Sequence, residues 1–263
     1  MTPFETSLEA LDPVLFRDVP ASLSEADKRS LLAIQKAVRA NSAPYAYLEI
    51  GSHFGGSIQP YLRDESCGRI YSIDPRPTSV ADDRGETIRY DDNSSAHMLD
   101  LLRAVRADRL DRITIFDCDA RQIPGRVVEP RPAVCFIDGE HTNEAVRSDF
   151  NFCRSVLAEH GVILFHDANV VYQGLQEILQ DLTTKGVEFT AYVLPSVVFV
   201  IEFGPGVLSD TEDIRRMLRQ NGETYLLGLA SMEHYRSVYN RPAIRFLRNL
   251  YRRYSALRRR VGA

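Results

Sequence analysis

Tyr45-Ala46-Tyr47-Leu48-Glu49-Ile50-Gly51-Ser52-His53-Phe54-Gly55-Gly56-Ser57 is the stretch that decides the fold. Its first six residues form a short apolar run stopped by a glycine, which reads as a buried strand. Gly55-Gly56-Ser57 then opens a helix toward Leu62. Strand, glycine turn and helix make the opening unit of a parallel sheet with crossover helices.

The rest of the chain repeats that alternation. Strands are expected at 69–73, 113–116, 133–137 and 162–165, with helices at 94–105, 143–157 and 170–182. Two last strands, 188–193 and 197–203, flank Leu194-Pro195-Ser196. So short a link cannot make a crossover, so these two are antiparallel neighbours. The expectation is an α/β protein: seven strands, mostly parallel, one antiparallel member near an edge, helices on both faces. The polar stretch 76–92 reads as a loop or mobile lid. Three parts follow: a helical segment over 1–43, a ligand-binding domain over 44–204, and a helical extension over 205–263. In the first, Ser22 or Ser24 caps a helix running through Leu31, Leu32, Ile34 and Val38. Gly204-Pro205-Gly206 marks the last boundary.

A chain of 263 residues with 44% apolar and 26% charged residues has the composition of an ordinary globular protein. Its net charge of -4 makes it a poor general trap for nucleic acid. Cys67, Cys118, Cys135 and Cys153 show no metal-ligand or redox spacing, and they read as reduced thiols. No signal peptide or long apolar run is evident, so a cytoplasmic location is expected.

In an open α/β sheet, ligands collect at the carboxyl ends of the strands. Five strands here carry an acid at or just past that end: Glu49, Asp74, Asp117 or Asp119, Asp138 and Asp167. Single acids cap helices and turns, but five along one rim point to a ligand site. The turn after the first strand is GxxxGG, not the GxGxxG of dinucleotide-binding folds. Glu49 beside it would repel a pyrophosphate and attract an ammonium or sulfonium group. Asp74 can accept hydrogen bonds from ribose hydroxyls, and Asp119 with Ala120 could meet an adenine.

The segment Leu48 to Ser57 resembles motif I of class I S-adenosylmethionine-dependent methyltransferases, and Ile70-Tyr71-Ser72-Ile73-Asp74 looks like their acidic second-strand motif. Phe136-Ile137-Asp138-Gly139-Glu140-His141-Thr142-Asn143-Glu144-Ala145-Val146, followed by Gly161-Val162-Ile163-Leu164-Phe165-His166-Asp167, is similar to a bacterial subgroup called methyltransferase family 24. The resemblance covers roughly 45–203. It implies a Rossmann-like domain that transfers a methyl group (EC 2.1.1.-) from S-adenosylmethionine to a hydroxyl of a sugar or small natural product. It also implies that Glu49, Gly51, Ser52 and Gly55 line the methionine end of the cofactor. Asp74 would hold the ribose, and Asp119 with Ala120 the adenine. Relatives often bind a divalent metal (Mg, Mn or similar) with acids at the ends of the fourth and fifth strands. Those positions are Asp138 and Asp167, with His166 or His141 nearby. The sequence departs from metal-dependent patterns at Ala168, where catechol-type enzymes have asparagine, and at His166, where sugar-modifying relatives have an acid.

A hydroxyl attacks a sulfonium methyl well only after losing its proton, to a base or through metal coordination. His141 and His166 are the candidate bases, with Asp138 as their partner, because histidine titrates near neutrality. His53 in the glycine turn could meet cofactor or substrate. Two other readings remain open: an NAD-linked oxidoreductase, and a non-catalytic adenosyl-binding scaffold. From Tyr235 onward the chain has nine arginines and no acid. Apolar residues recur there at steps of three or four, which makes an amphipathic basic helix. It could cover the domain, lie on an anionic membrane surface, dock a partner or pack across a dimer of this chain; a nucleic-acid role lacks any accompanying aromatic platform.

Overall fold

The structure is a computed structural model that describes residues 1–83 and 87–222, with 226, 229, 230, 233 and 241 beyond them. The basic amphipathic helix expected after Tyr235 lies outside the described residues. The four cysteines are free, and all but Cys118 are buried. Among the described residues no helix is long and apolar enough to cross a membrane.

Among the described residues there are nine strands: β1 (Tyr45–Ile50), β2 (Cys67–Ile73), β3 (Ser79–Ala81), β4 (Thr87–Arg89), β5 (Ile113–Phe116), β6 (Val134–Ile137), β7 (Val162–Phe165), β8 (Phe189–Leu194) and β9 (Val198–Phe203). Seven of them form one sheet in the order β5-β2-β1-β6-β7-β9-β8. All neighbours pair in parallel except at β9, which runs antiparallel to both β7 and β8. The expected Rossmann-like α/β sheet with one antiparallel strand is the observed one. The order steps outward from β1 in both directions, so β1 and β6 flank the switch point where ligands settle.

Helices α1 (Pro3–Glu9), α2 (Glu25–Ser42), α3 (Gln59–Arg63), α4 (Ser95–Arg106) and α7 (Glu212–Arg219) contribute to the core on one face of the sheet. Helices α5 (Asn143–Val156) and α6 (Tyr172–Thr184) build the core on the other. Local chemistry explains their ends. Ser24 caps α2 and forms a reciprocal capping box with Asp27. Ser94 caps α4 and Thr142 caps α5.

Residues 1–43 are part of this core and no appendage. Leu31, Leu32 and Ile34 of α2 are at most 2% exposed. The buried amide of Gln59 ties the segment down: its oxygen accepts from the N–H groups of Asp18 and Val19, and its nitrogen faces the carbonyls of Phe16, Val19 and Gly56 at 2.8–2.9 Å. The stretch expected as a loop or lid carries instead the antiparallel hairpin β3–β4. It is docked, since Asp83 accepts from the backbone N–H and side-chain amide of Asn143 at the start of α5. Both strands are only three residues long, too short for a periodicity signal.

Glu49 sits inside the protein, 1% exposed, on the same side of β1 as Tyr47. Tyr47 and Tyr61 stack at 3.6 Å between ring centres. The Tyr47 hydroxyl donates to Glu49 at 2.8 Å and that of Ser57 at 2.5 Å. Burial raises the Glu49 carboxyl to about 8, against the lowering effect of those two hydrogen bonds. An acid whose folded value is raised contributes stability fully below its unfolded value and loses it as pH climbs through the folded one. Replacing Glu49 with Gln keeps the acceptor and removes the proton. Urea denaturation at pH 5 and pH 9 should therefore find E49Q close to the parent at pH 5 and more stable than it at pH 9. Equal stabilities at pH 9 would show that Glu49 carries its charge without cost.

Candidate active site

A cavity of about 570 Å³ opens at the carboxyl ends of β1, β2 and β6, within the size range of small-molecule sites. Its wall includes Gly51, His53, Asp74, Asp119, Ala120 and Asp138, together with Tyr90 beyond the hairpin. Among the described residues that line it, six are acids, Asp74, Asp119, Asp138, Glu140, Glu144 and Asp149, against one guanidinium, Arg121. That balance suits a cationic ligand and opposes a pyrophosphate. The short α3 adds to this: it lacks a side-chain cap and has Pro60 in its first turn, so it presents fewer N–H groups to a phosphate.

Of the expected cofactor residues, Gly51, Asp74, Asp119 and Ala120 line this cavity, and Glu49, Ser52 and Gly55 do not. Glu49 is spent beneath the turn as described. Ser52 is buried and accepts from the Ser72 hydroxyl at 2.9 Å. Gly55 has φ +78°, and a side chain there would collide with Leu102 and Met98. All three shape the turn from below. Gly51 is required for a different reason: at φ +91°, a Cβ would come within 2.2 Å of the Asp138 carbonyl oxygen. This glycine lets the ends of β1 and β6 close together, which also leaves the cavity wall bare at that point.

Asp74 is fixed by backbone: one oxygen accepts from the His53 N–H at 2.9 Å, the other from the Arg76 N–H at 2.7 Å. A carboxylate has about four acceptor positions; the Arg76 guanidinium also reaches the first oxygen, at 3.4 Å, so one position remains, on the second oxygen, for a ribose hydroxyl. Arg76, expected in a loop, is a clamp. Its side chain reaches the His53 carbonyl at 2.6 Å and Asp117 at 3.2 Å. His53 stacks on Phe54 at 3.7 Å, and its Nε2 is buried without a hydrogen-bond partner in the cavity wall. Burial lowers its pKa, so it is a neutral ring. Asp119 is the main departure from expectation. Its carboxylate is already bound by Arg121, at 2.9 Å and 2.7 Å from the guanidinium and 2.8 Å from the backbone N–H.

At the ends of β6 and β7 the fold gathers Asp138, His141, His166 and Asp167. His166 Nδ1 lies 3.1 Å from Asp138 and 3.8 Å from Asp167, while His141 Nε2 lies 3.6 Å from Asp138 and 3.4 Å from Asp167. Behind them, Asp27 of α2 is 2% exposed, with an oxygen 3.4 Å from His166 Nε2. That is close enough for charge pairing, although no aligned hydrogen bond forms. Desolvation opposes charge on His166, but Asp138, Asp27 and Asp167 outweigh it and raise its pKa well above the usual value. In the same way the two histidines overcome burial and hold Asp138 down at about 2. These acids favour the charged form of His166, which makes it the poorer of the two expected bases. Asp167 sits at φ +48°, a strained setting for a non-glycine residue and one met at functional sites. Asp27 carries no sequence signal beyond its part in the capping box of α2.

The expected metal set was Asp138, His166 and Asp167. Two carboxylates and two imidazoles are suitable donors in kind. Among the described residues, however, no group of three or more His, Cys, Asp or Glu side chains is gathered so as to hold a metal ion. The four side chains are arranged as a network of ion pairs.

A family model described as Methyltransferase domain, that of methyltransferase family 24, matches residues 48–168. Among curated proteins none matches the sequence. Among solved structures, the calicheamicin methyltransferase CalS11 is similar, with a TM-score of 0.51 at 15% identity over 78% of this chain and 94% of that one. The cofactor-bound Rv0187 from MTB has a TM-score of 0.51 at 15% identity, over 77% and 90%. The MycE methyltransferase of the mycinamycin pathway, in complex with Mg and S-adenosylhomocysteine, has a TM-score of 0.50 at 17% identity, over 75% and 55%. At such identities the likeness is one of fold. Residues 48–168 thus match the methyltransferase domain of family 24, and the fold is similar to that of the class I S-adenosylmethionine-dependent methyltransferases.

Proposed function

We propose that this chain transfers the methyl group of S-adenosylmethionine to a hydroxyl of a sugar or small natural product. The observation that supports it most is the cavity wall: among the described residues, six acids and one guanidinium at the sheet's switch point, beside a histidine–aspartate network. The residues fit such a cofactor. Asp74 has spare acceptor capacity for a ribose, and the acidic wall complements an ammonium and a sulfonium. The cofactor supplies an electrophilic methyl; the chain's own task is to place and deprotonate the acceptor.

His141 is the group for that task. It follows Asp138 by one short turn and stands between Asp138 and Asp167, either of which can orient its ring and stabilise the charge it gains. His166, anchored by Asp27, offsets the charge of the two acids and holds the Asp138 carboxyl low. The acids hold the N–H at His141 Nε2, so the hydroxyl proton moves to the other ring nitrogen, Nδ1, as the oxygen attacks in line with the breaking carbon–sulfur bond. An NAD-linked reading meets the acidic wall, and a scaffold reading leaves the strained Asp167 and the network unexplained.

The catalytic assignment is tested by His141→Gln. Turnover of a hydroxylated acceptor should fall by about 10²–10⁴-fold, the usual worth of a positioned base, while calorimetric affinity for S-adenosylhomocysteine stays unchanged. Turnover at the parent's rate would remove His141 from the reaction. In a second measurement, EDTA should leave turnover intact, because histidine already balances the acids. Activity abolished by EDTA and restored by Mn²⁺ would replace the ion-pair network with a cation at the same side chains.

A further inference from the structure

We infer that Asp149, on the inner face of α5, is the side chain that pairs with the adenine edge of the cofactor and makes the cavity selective for that base. The inference rests on the cofactor reading above and names a residue outside the expected set. Ala145, Ser148 and Asp149 lie three and four residues apart, so one stripe of α5 faces the cavity, and all three line it. The Asp149 carboxyl lies over the end of β6: a Cβ on Gly139 would be 3.7 Å from its Oδ2. Helix α5 also packs against the short 3₁₀ turn Ala120–Gln122, so Asp149 stands beside the pair, Asp119 and Ala120, expected to meet the base.

The two acids differ in what they can offer. Asp119 has both oxygens engaged by Arg121. No hydrogen bond or ion pair engages Asp149 among the described residues, although it is half-buried. A half-buried carboxyl without a protein partner, in the wall of a ligand cavity, is a group awaiting one. Desolvation, then the like charges of Asp119 and Glu140, raise it to about 7 against a lowering effect of Arg121. Near neutrality a large share of it is therefore the neutral acid, which carries one O–H donor and one carbonyl acceptor side by side. Adenine presents the complement on either edge: a ring nitrogen that accepts and an exocyclic amine that donates. The ionised form could still accept from the amine, but it would set a negative oxygen against the ring nitrogen's lone pair.

The charged groups that face Asp149 are Asp119 and Arg121 from the 3₁₀ turn and Glu140 from the loop before α5. Glu144 lies on its own helix, and His53 lines the same cavity from the glycine turn. An amide can pair with adenine as the neutral acid does, so Asp149→Asn separates the pairing from the titration.

The test is calorimetry of S-adenosylhomocysteine with the full chain, the Asp149→Asn variant and the Asp149→Ala variant, at pH 6 and pH 8.5, after thermal denaturation has established that each is folded. The parent should bind about tenfold more tightly at pH 6 than at pH 8.5. Asp149→Asn should bind as the parent does at pH 6 and lose the pH dependence, and Asp149→Ala should be weaker by about tenfold at pH 6. If Asp149→Ala does not fold, the flat profile of Asp149→Asn decides alone. A parent that binds while Asp149→Asn keeps the same pH dependence would overturn the inference and leave the cofactor reading standing. A folded parent that binds no S-adenosylhomocysteine at either pH would overturn both.

Discussion

Carboxyl groups crowded at one end of a parallel sheet repel each other, and the structure depends on how that repulsion is met. Each acid here is answered in its own way. Asp74 is held by two backbone N–H groups, with the Arg76 guanidinium 3.4 Å away. Asp138 and Asp167 share two histidines, one of them set among three acids that favour its charged form. Asp119 is matched by Arg121 two residues on. Glu49 and Asp149 are relieved by raised proton affinity, to about 8 and about 7. What remains unbalanced faces the cavity, and a cationic ligand would complete it.

Much of this was legible in the chain itself. Strands β1, β5 and β7 have the bounds read from sequence, because Gly51, Asp117 and His166 interrupt short apolar runs beside recognisable helix caps. The antiparallel β9 followed from the length of one turn. Asp74 and Asp138 were placed in the cavity from their positions at strand ends alone. The hairpin β3–β4 was not legible, since strands of three residues carry too little pattern to outweigh a polar composition.

Where side chains lie differently from the expectation there is one cause: the local signal was sound but the side chain's direction is set by tertiary packing. Glu49 lies in the segment that resembles motif I, yet strand parity turns it toward Tyr47 and Ser57, outside the cavity lining. Asp119 follows β5 as expected, but Arg121 returns over it. Asp27 drew no reading from the sequence, and only the docking of α2 against the end of β7 brings it to His166. The same docking makes residues 1–43 part of the core, which no boundary signal in the sequence foretold.

The central claim is that this acidic edge holds a positively charged adenosyl compound. It is tested most directly by titrating the full chain with S-adenosylmethionine and with NAD under the same conditions. Saturable binding of S-adenosylmethionine with one site per chain, and none of NAD, is the predicted result. Binding of NAD with indifference to S-adenosylmethionine would contradict it.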